Sequence, residues 1–93
     1  MEKKLITLQI KLRDPKGKFV DGIVVIKDCW AISSFKHPTI AKELFDKEKN
    51  NKYLHYDEEK KLLIQEYPNK TKEDIYNLLR KEFLNMGAQF TKQ

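Results

Sequence analysis

Residues 5 to 13 read LITLQIKLR, with Ile6, Leu8, Ile10 and Leu12 alternating with Thr7, Gln9, Lys11 and Arg13. A period of two marks a strand with one wet face. DPKG follows at 14 to 17, with Asp first, Pro second and Gly fourth, the positions a tight turn favours for each. The pattern predicts a hairpin whose second strand is FVDGIVVIK, residues 19 to 27. Alternation fails at IVVI. Both faces of that strand are then apolar, which places it centrally, asks for a cover on each face and makes Gly22 a candidate bulge.

His37-Pro38 predicts a helix start, since proline suits the first helical position and pushes its predecessor out of helical geometry. At 100° per residue Ile40, Ala41, Leu44 and Phe45 share one arc, so a helix is expected over about 38 to 49. Strands are expected at 52 to 57 and 61 to 67, turning at about Asp57 to Lys60. Thr71 stands three residues ahead of Asp74 in a capping-box arrangement, and Gly87 offers a C-terminal stop. Ile75, Leu78, Leu79, Phe83 and Met86 form an apolar stripe between them, which predicts a helix over 72 to 86. Residues 88 to 93 read as a loose tail with Phe90 as its anchor. The predicted fold is one small α+β domain spanning residues 1 to 93, in the order ββαββα, with two helices on one face of an antiparallel sheet.

Composition then narrows the function. No stretch approaches the ~20 apolar residues that span a bilayer, and no apolar segment follows the charged start, so a cytoplasmic protein is expected. A single cysteine forms no internal disulfide, which fits a reducing compartment. The formal charge is +5, with eight basic and four acidic residues in 1 to 37 against eleven and ten in the rest. Acidic partners are favoured, with the footprint in the N-terminal third. Only Arg13 and Arg80 among the nineteen basic residues are arginine, and base-edge readout draws on arginine more than lysine.

Candidate chemistry is sparse. Three glycines, at 17, 22 and 87, leave no phosphate-cradling loop. Two histidines and one cysteine are too few and too dispersed for a metal constellation, so neither metal nor cofactor is expected. Cys29 and His37 form the one sequence-local pair that would serve a thiol enzyme, and a core cysteine is the expected alternative. Asp57, Glu58 and Glu59 read as a solvated turn. Glu82 falls inside the apolar arc of the last helix, where it is expected to reach solvent at the rim.

Two surfaces remain. Lys11, Arg13, Lys16 and Lys18 cluster on the wet face and turn of the first hairpin, a ribbon that would fit a nucleic-acid groove, with Tyr53, Tyr56 and Tyr67 available for stacking if they face out. Trp30, Ile32 and Phe35 follow a strand already apolar on both faces. They cover its open face, continue the strand or present aromatics to a partner, core packing being the expectation. The leading functional expectation is a small protein-binding module without catalysis of its own. It would be an accessory or inhibitory protein acting on a larger nucleic-acid-processing partner, of a kind shared by many small phage and mobile-element proteins. The alternatives are direct nucleic-acid binding through the first hairpin and, behind it, a thiol enzyme built on Cys29. A homodimer that buries the second face of IVVI is compatible with each.

Overall fold

A computed structural model describes residues 5–90, apart from the side chain of Pro38. The first hairpin forms as its pattern requires, with β1 at Ile6–Arg13 and β2 at Phe19–Lys27. The two pair in continuous antiparallel register from Ile6 opposite Ile26 to Arg13 opposite Phe19. Gly22 lies directly opposite Ile10 in that register, so it is a ladder residue and not the expected bulge. The turn is closed by Asp14, whose Oδ1 accepts 2.9 Å hydrogen bonds from the backbone N–H groups of Lys16 and Lys18. Gly17 there adopts φ 85°, a left-handed conformation that only glycine takes at no cost.

The third strand, β3 at Trp30–Phe35, extends the hairpin into a meander. Lys27 pairs with Trp30, so Asp28 and Cys29 alone make the turn, with Asp28 at φ 53°, a conformation Asp tolerates better than most side chains. Helix α1, Pro38–Lys47, starts at the proline as expected, with an extended His37 at the N-cap position whose side chain makes no capping bond to the backbone. Strands β4 at Leu54–Asp57 and β5 at Leu62–Glu66 form the second hairpin, and β5 pairs with β3. Helix α2 spans Lys72–Asn85, and Thr71 Oγ1 caps it by accepting from the Asp74 N–H at 3.1 Å.

At its far end Ala88 N–H donates to the Phe83 carbonyl at 2.9 Å and Gly87 N–H to that of Leu84 at 3.0 Å, the two bonds of a Schellman motif with Gly87 at φ 82°. The chain turns back there, and Gln89–Phe90 adds a sixth strand, β6, beside Lys11 and Ile10 of β1. The expected loose tail is therefore corrected over residues 88 to 90: Ala88 is buried, and Phe90 packs against the core. Residues 91 to 93 lie outside the described region.

The result is an antiparallel six-stranded sheet in the order β4-β5-β3-β2-β1-β6, with both helices on one face. The α+β class stands as expected, with β3 and β6 added to the predicted elements. The core lies between sheet and helices. Leu8, Ile10 and Leu12 of β1, Val24 and Ile26 of β2, and Ala31 and Phe35 of β3 meet Ile40 and Ala41 of α1 and Ile75, Leu79 and Phe83 of α2. Among the described residues no helix is long and apolar enough to cross a membrane.

Candidate interaction surface

Strand alternation sends every second residue to the side away from the helices. On β2 those residues include Ile23 and Val25, on β3 Trp30 and Ile32, and on β5 Leu62 and Ile64. Their cross-strand pairing joins them into one strip. Val25 sits between Thr7 and Ile32, Ile32 faces Ile64, and Ile64 faces His55, so this row crosses five strands. A second row runs Gln9, Ile23, Ser34, Leu62 and Asp57, and Trp30 lies between Lys27 and Glu66 beside the first. IVVI thus has two apolar sides as its pattern says. The helices cover one of them, while Ile23 is 38% exposed on the other and Val25, Trp30, Ile32, Leu62 and Ile64 are half-buried.

Charge is distributed unevenly around the strip. Lys11 and Arg13 stand on the same open face along β1, and Lys16 and Lys18 continue the basic run into the turn. Asp57 and Glu66 lie on the far side, on β4 and β5. The basic end is partly engaged. Lys11 Nζ lies 3.9 Å from Asp21 Oδ1, Arg13 Nη1 donates to the Gly17 carbonyl at 2.9 Å, and the guanidinium sits 4.4 Å over the Phe19 ring. Asp14 is held below the ordinary carboxyl range, first by the Lys18 backbone N–H. A depression of about 560 Å³ opens beside this end, between Gln9, Lys11, Asp21, Ile23, Ser34 and Lys36.

Of the residues singled out from sequence, Lys11, Arg13, Lys16, Lys18 and Trp30 fall on this face or its turn. Phe35 does not. It points to the covered side, 7% exposed, because it stands an odd number of positions from Trp30 on the same strand. Of the candidate tyrosines, Tyr56 and Tyr67 pack against the core on the helix side, whereas Tyr53, 38% exposed, stands opposite Glu66 at the edge of the open face. Val25, Leu62 and Ile64 were missed as site residues. Their signal is the apolar character of IVVI and LLI on both faces, but joining them requires knowing that β5 lies beside β3.

Cys29 is half-buried in the β2–β3 turn, not in the core, and its Sγ lies 4.0 Å from Glu66 Oε2. It precedes β3 while His37 follows it, so a six-residue strand, roughly 20 Å at ~3.3 Å per residue, keeps the two apart. His37 Nδ1 instead shares a 2.6 Å hydrogen bond with Thr39 Oγ1.

These features define a small α+β protein with one sheet face covered by helices and the other carrying an apolar strip with a basic end. Comparison with family models, curated proteins and solved structures finds no match for this chain.

Proposed function

We propose that this chain is a protein-binding module whose open sheet face packs on a partner protein, through an apolar patch with acidic residues opposite the β1–β2 turn. The observation that carries the reading is the uncovered row Val25–Ile32–Ile64, flanked by Trp30 and Ile23. Apolar strips of this kind on one face are what protein interfaces bury at their centre, with a polar rim around them. Aliphatic, largely β-branched side chains complement another packed protein surface, whereas single-stranded nucleic acid is held by aromatic platforms, and two of the three candidate tyrosines, Tyr56 and Tyr67, are turned to the helix side. The basic hairpin beside the strip would be repelled by a phosphate-binding, positively charged surface, so the complementary surface is an acidic one. An accessory or inhibitory role follows if that surface is one the partner needs.

The test is capture from lysate by the tagged chain and by two variants, Ile32→Ser/Ile64→Ser on the open face and Leu84→Ser on the exposed side of α2, with and without nuclease. The expected result is one discrete protein that survives nuclease, is retained by Leu84→Ser and is lost with the open-face pair. Capture insensitive to the open-face pair overturns the reading. So does recovery of nucleic acid alone, lost as salt rises, or of nothing but a second copy of this chain.

A further inference from the structure

On the covered side, α1 packs over β3, β4 and β5 and α2 over β1 and β2, and residues of both helices line a cleft of about 250 Å³. Its walls are Leu44, Leu54, Leu63, Leu79, Phe83 and Met86. Ser33 lies in its floor, 6% exposed, and its hydroxyl has no hydrogen-bond partner among the described residues, yet the oxygen stays open to the cleft. Two carboxylates also line it, Glu48 at the C-cap of α1 and Glu82 one turn from the end of α2, along with the polar side chains of Gln65, Tyr67 and Asn85. No lysine, arginine or histidine lies among the described lining residues.

We infer that this cleft binds a small amphipathic cation, an alkylamine in chemical class, with its chain between Leu63, Leu79 and Phe83 and its ammonium between Glu48 and Glu82. Three independent features select this chemistry. Both helices end at the cleft, and helix C-termini carry partial negative charge that adds to the carboxylates. The walls are apolar with a few convergent polar groups, the composition of a small-molecule site, and the volume falls just below the ~300–1,000 Å³ of drug-sized sites, so the ligand is small. The unpaired Ser33 hydroxyl supplies a hydrogen-bonding point at the floor.

The electrostatics agree. Burial, with Glu48 adding its charge, raises the Glu82 carboxyl above its ordinary range. Burial followed by the charges of Glu82 and Glu48 raises the Tyr67 phenol, which also lines the cleft. A bound ammonium relieves the repulsion between the carboxylates. The cleft and the open sheet face lie on opposite sides of the sheet, so the two proposals fail separately.

The experiment is a titration of the full chain with hexylamine, hexanol and hexanoate, followed by methyl NMR and calorimetry. Hexylamine is expected to bind with shifts centred on the methyls of Leu63 and Leu79, and hexanol and hexanoate to bind at least about tenfold more weakly. Glu82→Gln and Glu48→Gln are each expected to weaken the amine by about tenfold while leaving hexanol unchanged. Neither side chain belongs to the packed core, so unfolding does not complicate the comparison. Equal affinity for hexylamine and hexanol overturns the proposal, as does amine binding indifferent to both substitutions or no saturable binding at millimolar amine.

Discussion

The ring of Phe35 occupies the space that Gly22 leaves on the neighbouring strand. The two are cross-strand partners, and a Cβ on Gly22 would stand 2.7 Å from Phe35 Cε1, nearer still to Cδ1, and 3.4 Å from Ile10 Cγ1. Glycine is needed here for room, since its φ is not in the left-handed range. Gly22→Ala is expected to cost roughly 1–3 kcal/mol by overpacking. In a Phe35→Leu background, with no ring to displace, the same change should cost less than ~0.5 kcal/mol. Denaturant unfolding of the four proteins measures the coupling, and equal penalties in both backgrounds would rule it out.

That pairing shows where sequence reading ends. β1 and α2 are legible because their signals are local: strict alternation from Ile6 to Arg13, a Thr71 cap and a Gly87 stop. β3 is not, since Ser33 and Ser34 dilute its apolar pattern and Asp28-Cys29 lacks the glycine that usually announces a two-residue turn. It is a strand because β2 and β5 hydrogen-bond it from both sides. β6 has two residues and exists through its pairing with β1. The same limit applies to the site. Lys11 and Arg13 can be placed on a wet face from the alternation alone, but setting Trp30 and Ile32 beside Ile64, and turning Phe35 inward, depends on a strand order that no local pattern contains.

Gly87 is the hinge between α2 and β6, and its φ of 82° places it where an L side chain is strained. No atom lies within 4 Å of a Cβ built there, so the expected cost of Gly87→Ala is conformational, about 1–2 kcal/mol. Gly87→Asn should cost less, because Asn visits this region more readily. Hydrogen exchange at Ala88, whose N–H closes the motif onto Phe83, should accelerate in the alanine variant by more than at Ile75. Uniform acceleration along the helix would mean the turn is not the affected element.

Two carboxyls impose opposite pH dependence. Asp14 is lowered from 3.8, chiefly by the Lys18 backbone N–H, so its contribution is present above that value and is lost as pH falls through the lowered one. The stability advantage over Asp14→Asn should therefore shrink toward zero in acid. Glu82 is raised from 4.5 by burial and by Glu48, so the folded state favours its protonated form. Its contribution is complete below 4.5 and is lost as pH rises through the raised value, which makes Glu82→Gln the more stable protein at neutral pH. Unfolding midpoints of the three proteins between acid and neutral pH decide both signs. A stability gap for either variant that does not change with pH contradicts the corresponding assignment.

Face assignment on β2 and β3 makes the last prediction. Ile26 and Ile32 are close in space and chemically identical, yet Ile26 is fully buried beneath the helices while Ile32 lies on the open side between Val25 and Ile64. Truncating Ile26 leaves a cavity in a packed interior, so Ile26→Ala is expected to cost about 2–5 kcal/mol. Ile32→Thr keeps the β-branched shape and places its hydroxyl where water reaches, so it should cost less than ~1 kcal/mol. If the open face is a docking surface, the same Ile32→Thr change should weaken the complex by more than it weakens the fold, because the hydroxyl is desolvated only when a partner covers it. Unfolding curves on the free protein and affinity on the captured complex separate the two effects. An Ile32→Thr variant as unstable as Ile26→Ala would mean that this face is covered in the free chain.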